Sequence, residues 1–217
     1  WNIYTGLQKS ASEDPLVWED DIRALEERSA GRFGPGEAVG FVGSSSIRFW
    51  STLEADMAPM PVLQHGFGGA KLGDVVSYAQ RLVKAWQPRA VVVFAGTNDI
   101  TPADAKPADV LFERYLELVA ILRADDPELP VFYIGITPSP LRWEVWPEAQ
   151  DTNALIESHT AAHPGLYFID TAPALLGANG TPDPDNYVWD GLHLSERGYA
   201  GWARIIRAVL EESLGPT

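Results

Sequence analysis

The sequence predicts an α/β fold, a three-layer α/β/α sandwich built on a doubly wound, five-stranded parallel sheet. Three observations predict it. Short apolar runs alternate with longer segments of 3.6-residue periodicity, the pattern of strand, crossover helix and parallel strand. The runs are apolar throughout rather than alternating, as strands covered by helices on both faces are. Finally, 217 residues with 46% hydrophobic composition can bury one sizeable core, and no repeat, linker or low-complexity tract divides them. A single domain over residues 1–217 is expected, with residues 1–30 as an N-terminal segment and a helix packed on it.

The first helix is expected over residues 16–30, after the start signal Asp14-Pro15. Residues 38–42 form the first apolar run and residues 62–65 the second, each bounded by Gly, Pro or polar residues. A helix over 71–87 is stopped by Pro88, and the third strand follows at 90–95. A helix over 108–124 ends before Pro127, and residues 131–136 are the fourth strand. A less amphipathic helix over about 147–162 leads to the fifth strand at 166–169. The last helix, 195–213, carries Tyr199, Trp202, Ala203, Ile206, Val209 and Leu210 on one face for the core.

Charge and composition exclude several function classes. Thirty acidic against sixteen basic residues leave a net charge of −14, which repels a phosphate backbone and anionic lipid headgroups. Nucleic acid is therefore not an expected partner. Without cysteine there is no disulfide, no thiolate nucleophile and no Cys-ligated zinc. Every apolar run is too short to cross a bilayer. The chain starts at Trp1 with no basic n-region or apolar h-region, so a targeting peptide is expected to be absent or already removed.

In a doubly wound sheet, ligands bind beyond the carboxyl ends of the strands. Four predicted strands run into Gly43-Ser44-Ser45-Ser46, Gly66-Phe67-Gly68-Gly69, Gly96-Thr97-Asn98-Asp99 and Thr137-Pro138-Ser139-Pro140, and Asp190-Gly191-Leu192-His193 precedes the last helix. These segments share one sheet edge. A serine hydroxyl is a poor nucleophile until a base takes its proton, and the base needs a partner that fixes its tautomer. His193 and Asp190, three apart and on one side of an expected helical turn, supply such a pair. Backbone N–H groups near Ser45 and Gly69 and the amide of Asn98 are donors of the kind an oxyanion requires.

Taken in order, these blocks resemble the GDSL or SGNH hydrolase superfamily. The family's Gly-Asp-Ser is matched by Gly43-Ser44-Ser45, with Trp50 at a common spacing; its Asn-x-x-x-x-Gly is matched from Gln64 to Gly69, the glycine without the leading Asn. Gly96-Thr97-Asn98-Asp99 matches Gly-x-Asn-Asp, and Asp190 to His193 matches Asp-x-x-His. The resemblance spans residues 38–210 and implies the flavodoxin-like SGNH fold and a serine esterase that needs no cofactor. It implies Ser45 as nucleophile, His193 as base, Asp190 as its orienter, and Ser45, Gly69 and Asn98 as the oxyanion hole. Register from both Gly43 and Trp50 selects Ser45 over Ser44 and Ser46, which are assigned to the turn or a helix cap. The family's frequent export adds secretion or the periplasm to the expectations, with the cytoplasm otherwise; oligomeric state is not encoded.

Other histidines have plainer readings. His65 is assigned to a structural strand end, and His159 and His163, four apart without an acidic third ligand, to a helix terminus rather than a metal site. Gly66-x-Gly68-x-x-Lys71 lacks the third glycine of a dinucleotide fingerprint. Phe67, Trp143, Trp146 and Trp189 are candidates to line an aromatic substrate pocket. No long apolar lid segment is present, which favours short acyl esters, with carbohydrate O-acetyl esters and lysophospholipids as alternatives. A non-catalytic binding module on the same fold is the alternative of another class, resting on the departures at Ser44 and Gln64.

Overall fold

The computed structural model describes Lys9 and residues 11–215. Its main sheet consists of β1 (Val39–Gly43), β2 (Val62–Gly66), β3 (Ala90–Phe94), β4 (Val131–Ile134) and β5 (Leu166–Ile169), in the order β2-β1-β3-β4-β5. All four pairings are parallel, and Val39 stands opposite both Val62 and Ala90. Every residue of β1, β3 and β4 is buried, the physical counterpart of their unbroken apolar runs. The expected strands are therefore all present, with ends shifted by a residue or two.

The helices are α1 (Glu19–Ser29), α2 (Ser45–Arg48), α3 (Leu53–Met57), α4 (Leu72–Leu82), α5 (Ala108–Leu122), α6 (Trp146–Ala162) and α7 (Glu196–Leu214). One face of the sheet is covered by α1, α4, α5 and α6 through Trp18, Ile22, Val75, Tyr115 and Ile156. The other is covered by α2, α3 and α7 through Ile47, Leu53, Trp202, Ile206 and Leu210. On that second face Trp50 stacks on Tyr199 at 5.4 Å, and Trp202 meets Phe94 edge-on at 4.8 Å. This aromatic layer lies directly beneath the turn that leaves β1. Among the described residues, no helix is long and apolar enough to cross a membrane.

Several boundaries differ from the sequence expectation for identifiable reasons. Asp14 caps the first segment, its Oδ1 accepting from the Leu16 N–H, but Pro15–Trp18 is a 3₁₀ turn and the α-helix begins at Glu19. The helix expected over 71–87 ends at Leu82, followed by a 3₁₀ turn, Lys84–Trp86, and Gln87 at φ 47°. Two side chains take over its terminal carbonyls: Trp86 Nε1 donates to Arg81 O at 2.7 Å and His65 Nδ1 to Leu82 O at 2.6 Å. A two-stranded ribbon of Ile100–Thr101 and Asp104–Ala105 also appears, too short for a period to reveal.

Candidate active site

The carboxyl end of β1 is built to expose one serine. Gly43 has φ 139°, and a Cβ there would sit 1.9 Å from Phe94 O, so only glycine fits between the strands. The Ser44 N–H then donates to Phe94 O at 2.9 Å, ending the pairing, and Ser44 becomes the N-cap residue of α2. Ser45 follows as the first helical residue, 8% exposed. Two other elements hold the turn: Tyr199 Oη donates to Ser46 O at 2.8 Å, and Gln64 Nε2 donates to Ile47 O and Trp50 O at 2.7 and 2.9 Å. Gln64, which departs from the family's Asn, thus tethers α2 and the residues after it to β2.

His193 reaches this turn from the segment before α7. An isolated bridge between Tyr187 and Leu194 and the bond from Val188 N–H to His193 O at 2.9 Å close the segment into a tight loop. The expected helical turn is corrected here: Gly191 has φ 65°, and Asp190 Oδ1 instead accepts the backbone N–H groups of Leu192 and His193, each at 2.9 Å. The other carboxylate oxygen accepts from His193 Nδ1 at 2.6 Å, which leaves Nε2 to accept a proton. Nε2 lies 2.8 Å from Ser45 Oγ. The Phe49 ring stands edge-on to the imidazole at 5.0 Å. Burial pushes the Asp190 carboxyl up, but its hydrogen bonds from the His193 ring, His193 N–H and Leu192 N–H outweigh this and hold it below its ordinary value. It stays ionised beside the imidazole.

Two more loops bring amide protons to the same edge. Gly69 has φ 77°, and Asn98 Nδ2 donates one proton to Ala70 O at 3.0 Å, which ties the two loops together and leaves its second proton uncommitted to that bond. Among the described residues, neither the Ser45 nor the Gly69 N–H donates to a protein acceptor. Asp99, 3% exposed, anchors the Asn98 loop by accepting the Leu72 N–H at the start of α4, at 2.8 Å. Burial raises its pKa to about 6, against the pull of that hydrogen bond and of Lys106.

The structure sorts the remaining candidates. Phe67 is corrected from pocket lining to core: it is 1% exposed and packs edge-on to Trp18 and Tyr78. Trp143 and Trp146 stack at 6.4 Å, and Trp146 lines a small cleft together with Thr97 and Arg142. Trp189 is 85% exposed, beside Asp190 on the outer surface. His65 lies buried between Ser29 Oγ and Leu82 O, as a structural strand-end residue does. His159 and His163 stack on each other at 3.9 Å, and no group of three or more metal-ligating side chains occurs among the described residues. Sequence reasoning did not single out Phe49, Thr97, Thr137, Arg142 or Leu192. Thr97 and Thr137 lie in the loops after β3 and β4, and that position was the signal available.

A family model described as GDSL-like Lipase/Acylhydrolase family matches residues 33–200. The platelet-activating factor acetylhydrolase IB subunit alpha1 of Homo sapiens is 26% identical over 184 residues, covering 79% of this chain and 74% of that protein. Among solved structures, a GDSL-like lipase from Bacteroides thetaiotaomicron superposes with a TM-score of 0.71 at 22% identity, covering 88% of this chain and 98% of that one. An acetyl xylan esterase from Geobacillus stearothermophilus superposes with a TM-score of 0.61 at 18% identity, covering 85% and 97%.

Proposed function

The chain belongs to the GDSL-like lipase/acylhydrolase family and is an ester hydrolase, and from that premise we propose that it cleaves short-chain acyl esters through Ser45, His193 and Asp190. Ser45 Oγ attacks the ester carbonyl as His193 Nε2 takes its proton, and Asp190 stabilises the imidazolium. The Ser45 and Gly69 N–H groups and Asn98 Nδ2 receive the oxyanion. Collapse of the tetrahedral intermediate expels the alcohol, which takes the proton from His193. Water, deprotonated by the same nitrogen, then releases the carboxylic acid and restores Ser45. The observation that carries the reading is the continuous contact from Ser45 Oγ to His193 Nε2 at 2.8 Å and from His193 Nδ1 to Asp190 Oδ2 at 2.6 Å.

The short acyl group is supported by the space beside the nucleophile. The cleft that holds Ser45, bounded by Thr97, Thr137 and Leu192, has a volume of about 10 Å³, room for no more than one water and none for a long acyl chain. The acetyl-ester activities named for the acetylhydrolase subunit and the xylan esterase agree with a short acyl group. A carbohydrate O-acetyl ester and a lysophospholipid-type ester are the two alternatives for this chain.

An organophosphonate ester probe tests the proposal. Mass spectrometry is expected to find the label between Gly43 and Arg48, with labelling and 4-nitrophenyl acetate turnover both lost in Ser45→Ala. Labelling elsewhere, or a Ser45→Ala protein that retains turnover, overturns the assignment of the nucleophile. Acetylated xylan fragments and an acetylated lysophospholipid, run in parallel, separate the two alcohols.

A further inference from the structure

Arg142 is out of keeping with so acidic a chain. Thirty acidic residues are available, yet among the described residues its side chain makes no ion pair and donates no hydrogen bond, and its Nε is buried without a partner. Burial alone depresses its pKa, with no neighbouring charge acting on it. A partly desolvated cation without a counter-charge destabilises a fold, so it calls for something outside the chain to complete it.

Thr97 presents the same anomaly at the same place. The residue is 9% exposed, and its Oγ1 is buried with no hydrogen-bond partner. Arg142 and Thr97 line one small cleft, with Ile136, Val145 and Trp146 as its apolar walls. Thr97 and Thr137 line that cleft and also the one that holds Ser45 and Asn98, so the two share a wall. Arg142 is also held firmly. Its backbone N–H donates to Ser139 O at 3.1 Å and to Ser139 Oγ at 3.3 Å, while the adjacent Leu141 N–H donates to Gly191 O at 2.9 Å, inside the Asp190 to His193 turn.

We propose that Arg142 and Thr97 form a specificity subsite for an anionic substituent of the ester substrate, a carboxylate or a phosphate carried close to the scissile bond. The inference rests on the ester-hydrolysis reading above and names the substrate class of that same site. The guanidinium offers a planar fork of donors that matches either oxyanion, and the Thr97 hydroxyl on the same small cleft is a further donor. The net charge of −14 repels anions at long range. Recognition is therefore a contact effect at a site where a cation has been left unpaired.

Three acetyl esters that differ in one group test it: 4-acetoxybenzoate, 4-acetoxyphenyl phosphate and the neutral methyl 4-acetoxybenzoate. The ratio of kcat/KM for the anionic to the neutral ester is expected to fall about tenfold or more in Arg142→Gln, and to recover in part in Arg142→Lys, which restores charge without the fork. Thr97→Val lowers the same ratio and Thr97→Ser restores it. Whichever anionic ester shows the larger fall identifies carboxylate or phosphate. A ratio unchanged in Arg142→Gln on both arms overturns the subsite while leaving ester hydrolysis standing. No turnover of any ester by the unaltered protein overturns the hydrolysis reading instead. Binding of phenylphosphonate to Ser45→Ala, measured by calorimetry, involves no catalytic step. It is expected to be lost when Arg142→Gln is added, and equal binding in the two proteins overturns the subsite independently.

Discussion

Of the three adjacent serines, Ser45 is the one whose hydroxyl meets an imidazole, at 2.8 Å from His193 Nε2. Ser44 has its N–H on Phe94 O, and Ser46 has its carbonyl under Tyr199 Oη, so both flanking backbones are engaged in holding the turn. Ser45→Ala or His193→Ala is expected to lower kcat by about 10⁴- to 10⁶-fold, read by steady-state kinetics on 4-nitrophenyl acetate. Asn98→Ala is expected to lower kcat by about 10²- to 10³-fold; normal turnover would remove Asn98 from the oxyanion site. Asp99 makes a different prediction. Burial moves its carboxyl from an ordinary 3.8 to about 6, so between these values the folded chain keeps a proton that the unfolded chain has lost. Its contribution to stability is present below about pH 4 and is lost as pH rises towards 6. Urea unfolding across that window is expected to show a shallower decline in Asp99→Asn, which retains an oxygen for the Leu72 N–H. The residue types at Ser45, Asn98, Asp190 and His193 were legible because chemistry restricts them to a few side chains. The placement of Phe49 and Arg142 was not, because neither a ring against a histidine nor an unpaired guanidinium leaves a pattern in the chain.

Among the elements, the strands were legible and the helix ends were not. A buried parallel strand records its environment on its own residues, whereas α4 stops where Trp86 and His65 reach its last carbonyls, and His65 belongs to β2. Such a stop depends on residues distant in sequence. The Asp190 to His193 turn was misjudged for a similar reason, since spacing alone does not separate a helical turn from one closed by the Asp190 carboxylate across Gly191. The junction of β2 with α2 is sterically constrained as well. A Cβ at Gly66 would lie 2.3 Å from Arg48 N and 2.8 Å from Ile47 C, both backbone atoms that cannot rotate away. Gly66→Ala is expected to destabilise the protein by roughly 3 kcal/mol or more in urea titration, with hydrolysis falling in step as the Ser45 turn is displaced. A loss under about 1 kcal/mol would mean that the junction yields more easily than this packing implies.

At the scale of the whole molecule, two apolar layers clamp the sheet while the surface carries a net charge of −14. Exposed ion pairs such as Arg207 with Glu211 add little to stability, whereas repulsion among excess carboxylates acts over the whole surface and opposes compaction. Raising the ionic strength from about 20 to 200 mM shortens the screening length several-fold and is expected to raise Tm by a few degrees in a thermal melt. A lower Tm would show that attractive pairs outweigh the repulsion. The contact between Ser45 and His193 spans 148 positions of the chain. A ribosome working from the N-terminus thus delivers the alcohol well before the imidazole that would take its proton. On the proposed reading, a nascent chain that ends between Ser45 and His193 holds the alcohol without the means to activate it, so hydrolysis begins only after His193 has been added.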